Sequence, residues 1–357
     1  MSAAMSGPAQ DYGTNMKLGI EAYFERINRE GGINGRKLIL QALDDGYIPE
    51  LAKKNMERFI ADNRIIAVIG NVGTPTAKVT IPLANKNKIL LFGSYTGAEL
   101  LRKIPPDRYI INYRASYAQE TAILIQYLLN QGILPYEIAF FTQNDSYGEA
   151  CYNSAIKAMK THGFYNYNLN SRGIFERNTL DITDAIIAVL DGPVKPRAII
   201  MAGTYWPCAK FIRIVKKNIP DAIFANVSFV GSHALANALG AEGKGVVITQ
   251  VVPNFDLDLP LTKDYLADLK RIAPYSSPSY ISLEGYIVAK IFVHGLKLAG
   301  NDINRESIID GILNIQNLDI GMDKKISFDK NKHQGSEHVW LTIIGEHGFE
   351  CLEIKAK

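Results

Sequence analysis

Polar and aromatic residues gather in this chain just after short apolar runs. After Ile65 to Gly70 comes Asn71-Val72-Gly73-Thr74-Pro75-Thr76-Ala77, and after Lys88 to Gly93 comes Ser94-Tyr95-Thr96. Gln143 to Gly148, Thr204-Tyr205-Trp206 and Gly231-Ser232-His233 follow three further runs. Hydroxyls, amides and rings in that setting suit the capture of a small solute, by hydrogen bonds to its polar end and ring packing on its body. They do not suit bond-breaking. No glycine fingerprint follows a strand, and neither a P-loop nor HExxH occurs. Gly93-Ser94-Tyr95-Thr96-Gly97 carries its serine in the wrong place for a nucleophile elbow. Asp44-Asp45 closes a strand-like run and reads as structural rather than as a catalytic pair. His333, His338 and His347 lie in turns and strand ends without cysteine or clustered carboxylates, and are expected to be solvated. No metal and no cofactor is expected.

The elements that would position these loops alternate in kind. Ile65–Gly70, Lys88–Gly93, Glu137–Thr142, Arg197–Gly203 and Val227–Gly231 are short and apolar, closed by glycine or a polar residue, as buried parallel strands are. Amphipathic stretches lie between them: Met16–Glu30, Leu51–Ala61, Glu120–Gln131, Gly148–His162, Asp181–Leu190 and Pro207–Asn218. Such alternation predicts α/β lobes, each a doubly wound parallel sheet with helices on both faces. Further on, helices are expected at Leu261–Ile272, Tyr280–Leu298 and Arg305–Asn314. Strands are expected at Lys325–Phe328, His338–Ile344 and Phe349–Ile354.

The pattern repeats. Tyr12 and Tyr147 each precede a glycine and a helix, 135 residues apart. Gly70 and Gly203 end strands 133 apart, and Gly93 and Gly231 do so 138 apart. Three matches at nearly one offset predict two copies of one module, with their loops at the carboxyl edges of two sheets where ligands bind. Facing each other, such edges would form a polar cleft lined with aromatic rings.

Bulk properties agree. A chain of 357 residues is long enough for two domains. A net charge of +3 without like-charge runs gives no nucleic-acid footprint. The apolar stretch Ile281–Gly300 is interrupted by Glu284, Lys290, His294 and Lys297, so it reads as an amphipathic helix rather than a bilayer span. Cys151, Cys208 and Cys351 have no metal spacing. A Cys151–Cys208 bridge is conceivable, with simple burial as the alternative. Met1 to Met5 reads as the end of a strand, so a signal sequence and the start of that strand are expected to lie outside this chain.

Several segments carry a family resemblance. Ala4-Met5-Ser6-Gly7-Pro8, Tyr12-Gly13, Ile27 to Arg36 and Asp44-Asp45 stand in the order and spacing of the type I periplasmic solute-binding proteins, in their leucine/isoleucine/valine-binding branch. Val68-Ile69-Gly70, Ser94-Tyr95-Thr96 and Asp145-Ser146-Tyr147-Gly148 do likewise. The chain resembles that family over nearly its whole length. The resemblance implies two lobes, 1–116 plus 253–322 and 117–252 plus 323–357. Three hinge crossings would join them, near 113–117, 251–255 and 318–328, and the ligand cleft would lie between them.

The resemblance also implies residue roles. The loop with Gly73, Thr74 and Thr76 would hold a ligand carboxylate, although Thr74 alternatively just caps the following helix. Ser94, Tyr95 and Thr96 would add backbone and hydroxyl contacts, or cap a short helix through Glu99-Leu100. Tyr12, Tyr147 and Tyr205 would close on the ligand, with Trp206 and Tyr280 as further candidates. His233 stands where amino-acid-binding members carry an acid for the ligand ammonium, and Glu284 is a possible substitute. The function implied is a non-catalytic, extracytoplasmic (periplasmic) receptor that binds an amino acid or related small carboxylate and delivers it to an ABC permease. The alternative is a ligand-sensing regulatory module of the same fold, for a small amide or aromatic acid.

Overall fold

The computed structural model describes residues 1–353. The chain forms two units. The first comprises 1–96, 100–114 and 252–337, and the second 97–99, 115–251 and 338 onward. Apart from the excursion at 97–99, the chain passes between them at 114–115, 251–252 and 337–338. The third passage was expected near 318–328. Residues 323–337, expected in the second lobe, pack with the first unit.

The first unit opens with β1 (Ser2–Ala3), α1 (Gln10–Arg29), β2 (Leu43–Asp44), α2 (Pro49–Ala61), β3 (Ala67–Ile69), α3 (Thr74–Lys86), β4 (Leu90–Phe92) and β5 (Ile110–Ile111). Strands β1 and β2 pair in parallel, as do β3, β4 and β5 in that order. The Val72 N–H donates to Ser2 O at 3.4 Å and the Ser2 N–H to Asn71 Oδ1 at 2.8 Å, tying the two ladders together.

The second unit runs α4 (Tyr117–Asn130), β6 (Ile138–Gln143), α5 (Ser146–Thr161), β7 (Arg172–Phe175), α6 (Thr183–Leu190), β8 (Ala198–Ala202), α7 (Tyr205–Val215), β9 (Ile223–Asn226), α8 (Ser232–Leu239) and β10 (Val247–Gln250). The chain then returns to the first unit with α9 (Pro260–Ile272), α10 (Tyr280–Leu298) and α11 (Ser307–Leu313). It ends in the second with β11 (Trp340–Ile344) and β12 (Phe349–Leu352). The second sheet has the order β12-β11-β10-β9-β8-β6-β7, parallel from β10 to β7, with β11 and β12 added as an antiparallel hairpin. Its core is aromatic: Phe141 stacks between Phe175 at 4.5 Å and Phe211 at 4.1 Å.

Helix α10 occupies the expected span. It crosses α1 at a small-residue contact, where a Cβ on Gly19 would lie 1.8 Å from Ser282 O and one on Gly285 2.4 Å from Met16 O. Among the described residues no helix is long and apolar enough to cross a membrane.

Local expectations fail where turn chemistry outweighs apolarity. The run Val227–Gly231 is not a strand: β9 ends at Asn226, and Ser228–Val230 forms a 3₁₀ turn before Gly231 at φ 80°. Lys325–Phe328 is not a strand either, and Ile326 makes only an isolated bridge to Leu318. The last residue of the expected final strand, Ile354, lies outside the described residues. Glu99–Leu101 is a single 3₁₀ turn. Cys151 and Cys208 are both free and buried, so the conceivable bridge is absent.

Candidate functional site

Gly73, Thr74, Thr76, Ser94, Tyr95 and Thr96 follow β3 and β4, and Tyr147 and Tyr205 follow β6 and β8, whereas Tyr12 lies within α1 and Tyr280 follows α9. In the first unit Gly70 leaves β3 at φ 69° and Gly73 precedes α3 at φ 102°, a backbone region that glycine adopts freely. Gly73, not Thr74, is the capping residue of α3; Thr74 and Pro75 are its first two helical residues. The Gly73 N–H donates to Tyr95 O at 3.1 Å and the Tyr95 N–H to Asn71 O at 2.7 Å, so the loops after β3 and β4 are laced together. That lacing sets Thr74 Oγ1 2.7 Å from Thr96 Oγ1, both fully buried. Ser94 Oγ is also buried and meets no hydrogen-bond partner among the described residues. Thr76 turns back instead, its Oγ1 donating to Gly73 O at 2.9 Å and to Val72 O, as helix-start threonines do.

Behind this loop lies a charged layer that sequence reasoning missed. Arg114, just past β5, is wholly buried with its guanidinium 4.5 Å over the Tyr95 ring. Its Nη1 stands 3.6 Å from Glu284 Oε2 on α10. Arg102 donates to Arg114 O at 2.9 Å and to Gln334 Oε1 at 2.7 Å. Glu284, considered as an acid for a ligand ammonium, therefore shares its charge with Arg114. The only signal for Arg114 was its place three residues after the apolar pair Ile110-Ile111. Tyr12 lies within α1 and its ring is 6.1 Å from Tyr95. Tyr280 starts α10 and packs 5.3 Å from Phe255.

The second unit repeats the device around tyrosine. Asp145 caps α5, its Oδ1 accepting from the Tyr147 N–H at 2.9 Å and the Gly148 N–H at 3.4 Å. A Cβ on Gly148 would lie 1.9 Å from Gln143 O, and one on Gly13 2.1 Å from Ala4 O. In both copies the glycine lets the first helical turn press against the backbone ahead of it, which fixes the preceding tyrosine. Tyr147 is buried 4.6 Å from Phe229 and 5.4 Å from Tyr117. Tyr205 starts α7 and is buried, whereas Trp206 beside it is 46% exposed.

His233 packs 4.9 Å from Phe349, and burial pushes its pKa down to about 4, leaving a neutral ring at physiological pH. Glu120 is the buried acid of this unit, missed in the sequence. Its Oε2 accepts from the Ser228 N–H at 2.7 Å and Thr249 Oγ1 at 2.5 Å, holding the turn that leads to Gly231. His333, expected in solvent, is buried with Nδ1 2.9 Å from Ile110 O. Among the described residues no cluster of metal-ligating side chains occurs.

Residues 1–348 match the model of a family described as periplasmic binding protein. The chain belongs to the periplasmic binding protein family. The fold, with its two α/β units, is the type I periplasmic binding protein fold. A possible leucine/isoleucine/valine-binding protein from Rhodopirellula baltica SH 1 superposes with a TM-score of 0.96 at 41% identity, covering 99% of this chain and 95% of that one. A branched-chain amino acid ABC transporter protein from Thermus thermophilus with bound valine gives a TM-score of 0.84 at 18% identity, covering 99% and 94%. The Leu/Ile/Val-binding protein BraC3 of Rhizobium johnstonii is 23% identical over 319 residues, 86% of this chain and 80% of the relative. These relatives are solute-binding proteins rather than enzymes.

Proposed function

We propose that this periplasmic binding protein is an extracytoplasmic receptor that captures an amino acid or a related small carboxylate and delivers it to an ABC permease. The observation that carries the reading is the hydroxyl set of the first unit. Thr74 and Thr96 meet at the start of α3, where first-turn amides and the helix dipole favour an anionic oxygen, and Ser94 on the same loop as Thr96 carries a further buried hydroxyl. Tyr12 and Tyr95 beside it, and Tyr147 and Tyr205 in the second unit, are rigid rings with a polar end, suited to an apolar or flat ligand body. Closure of the two units on the ligand would follow the usual trap of such receptors.

The ammonium anchor is where ligand classes part. His233 is neutral and set against Phe349, and Glu284 lies beside Arg114. The test is a thermal-shift screen with α-amino acids, matched carboxylates lacking the amine, and small amides. A ligand at a hundred times its Kd adds about 2.7 kcal/mol of stability. A shift by α-amino acids alone supports an amino-acid receptor. A shift by amine-free carboxylates alone moves the specificity to simple acids. A shift by amides alone, or none in any group, overturns the carboxylate reading.

A further inference from the structure

Two carboxamides end strands of the second sheet with hydrogen-bonding capacity to spare. Gln143 is the last residue of β6 and Asn226 the last of β9, and both are fully buried. Gln143 Nε2 donates to Asp145 Oδ2 at 2.6 Å, but its Oε1 meets no partner among the described residues, and neither do Oδ1 and Nδ2 of Asn226. The register sets where these side chains point. Met201 pairs with Phe141 on one side and with Asn226 on the other, and residues so paired share a face, as do Phe141 and Gln143 two positions apart. Phe141 stacks on Phe211 of α7, so both amides lie on the α7 face of the sheet, at its carboxyl edge. Gln250 shares that face, since Ile248 pairs with Asn226. Its Nε2 donates to Ser232 Oγ of α8 at 2.9 Å and to Thr342 Oγ1 at 3.1 Å. The fold thus ties off one carboxamide at this edge and leaves that of Asn226 open.

A buried amide with nothing to bond destabilises the fold that holds it, so its persistence points to an outside partner. Helices α7 and α8 begin past the ends of β8 and β9, and neither start is capped by a side chain: the Thr204 side chain makes no capping bond and Gly231 has none to offer. The neighbouring acids are engaged. Asp145 caps α5 and pairs with Arg177 at 3.2 Å, and Glu120 is held by the Ser228 N–H and by Thr249, whose side chain lies on the opposite face. We propose that Asn226 is a specificity-determining contact of the second unit, which receives an uncharged ligand group able to donate and accept at once, a carboxamide above all. This rests on the receptor reading above and narrows its ligand to a small carboxylate that also carries a carboxamide. A carboxylate would meet only Nδ2 of Asn226, and an ammonium only Oδ1. A carboxamide meets both, in a ring of two hydrogen bonds.

The test is calorimetry on the parent, Asn226→Leu and Asn226→Ala with two pairs of near-isosteric ligands: L-asparagine against L-leucine, and 4-amino-4-oxobutanoate against 4-methylpentanoate. The parent should favour the carboxamide member by about tenfold or more, because a site built to hydrogen-bond a group rejects the analogue that lacks it. Both variants should lose that preference. Without ligand, Asn226→Leu should melt at the parent's temperature or above it, since an apolar side chain of similar size replaces an amide that bonds nothing. Apolar members that bind the parent as well as the carboxamides do would overturn the proposal. So would a carboxamide preference that survives in both variants, the mark of an amide serving the fold alone. Binding by none of the four would instead defeat the small-carboxylate reading. The Tm of Asn226→Leu then decides the role of Asn226: a value at or above the parent's supports a reserved contact, and a lower one overturns it.

Discussion

Asp45→Asn tests how the first unit holds a buried carboxyl. Asp45 is fully buried, its Oδ2 accepting from Ser2 Oγ at 2.7 Å and its Oδ1 from the Tyr47 N–H at 2.9 Å. Burial outweighs those bonds, and with the neighbouring Asp44 charge it raises the pKa from 3.8 to about 6. The folded protein thus binds this proton more tightly than the unfolded chain. The resulting stability is complete below pH 4 and is lost as pH rises through 6. A shift of about two pH units at 1.36 kcal/mol each corresponds to roughly 3 kcal/mol. The asparagine variant lacks this titration, and any loss of hydrogen-bond quality it suffers is independent of pH. Urea unfolding of both proteins from pH 4 to 7.5 should show the variant gaining on the parent by about 2–3 kcal/mol as pH rises. Curves that stay parallel within about 0.5 kcal/mol would refute the reasoning, by showing that Asp45 titrates alike in both states.

Thr74→Val removes one hydroxyl of the facing pair and leaves Thr96 Oγ1 short of a buried partner, so affinity for the screened ligand should fall by about 1–3 kcal/mol in calorimetry. Gly19→Ala drives a methyl into the Ser282 carbonyl; it should lower stability by about 1–3 kcal/mol in denaturant titration, with α1 and α10 forced apart. His233→Gln should match the parent above pH 6.5 and outlast it as pH falls toward 4, because protonating the parent's half-buried ring opposes folding; identical acid unfolding midpoints would contradict this. Under native conditions a thiol reagent should label Cys351, which is exposed, before Cys151 and Cys208, which are buried.

Much of the fold was legible because period and punctuation agreed. The span of α10, the alternation of strand and helix, and the two tyrosine–glycine helix starts were all readable before any coordinate. Strand β5 was not, since two residues make no periodic signal and are held by pairing from afar, while β1 and β2 showed only as a strand end at Met1–Met5 and a strand-like run closed by Asp44-Asp45. The second unit's β7 was missed because Arg172 and Gly173 dilute its apolarity. Residue type pointed to the hydroxyls and rings of the proposed site but not to Arg114 or Glu120. A buried charge looks like any other charge until its partner is seen, and Glu284 lies 170 positions from Arg114. The same limit hid Asp45 and His333, whose burial depends on Ser2 and Ile110.

The threading of the chain has a consequence for its synthesis. Helix α1 is among the first segments made, but the backbone it packs against belongs to α10, and the second sheet waits for β11 and β12 near the end. Neither unit can close its core until the segments carrying α10, β11 and β12, late in this sequence, have been made. Loop-closure entropy across such separations slows the final collapse, and the growing chain carries open apolar faces for most of its elongation.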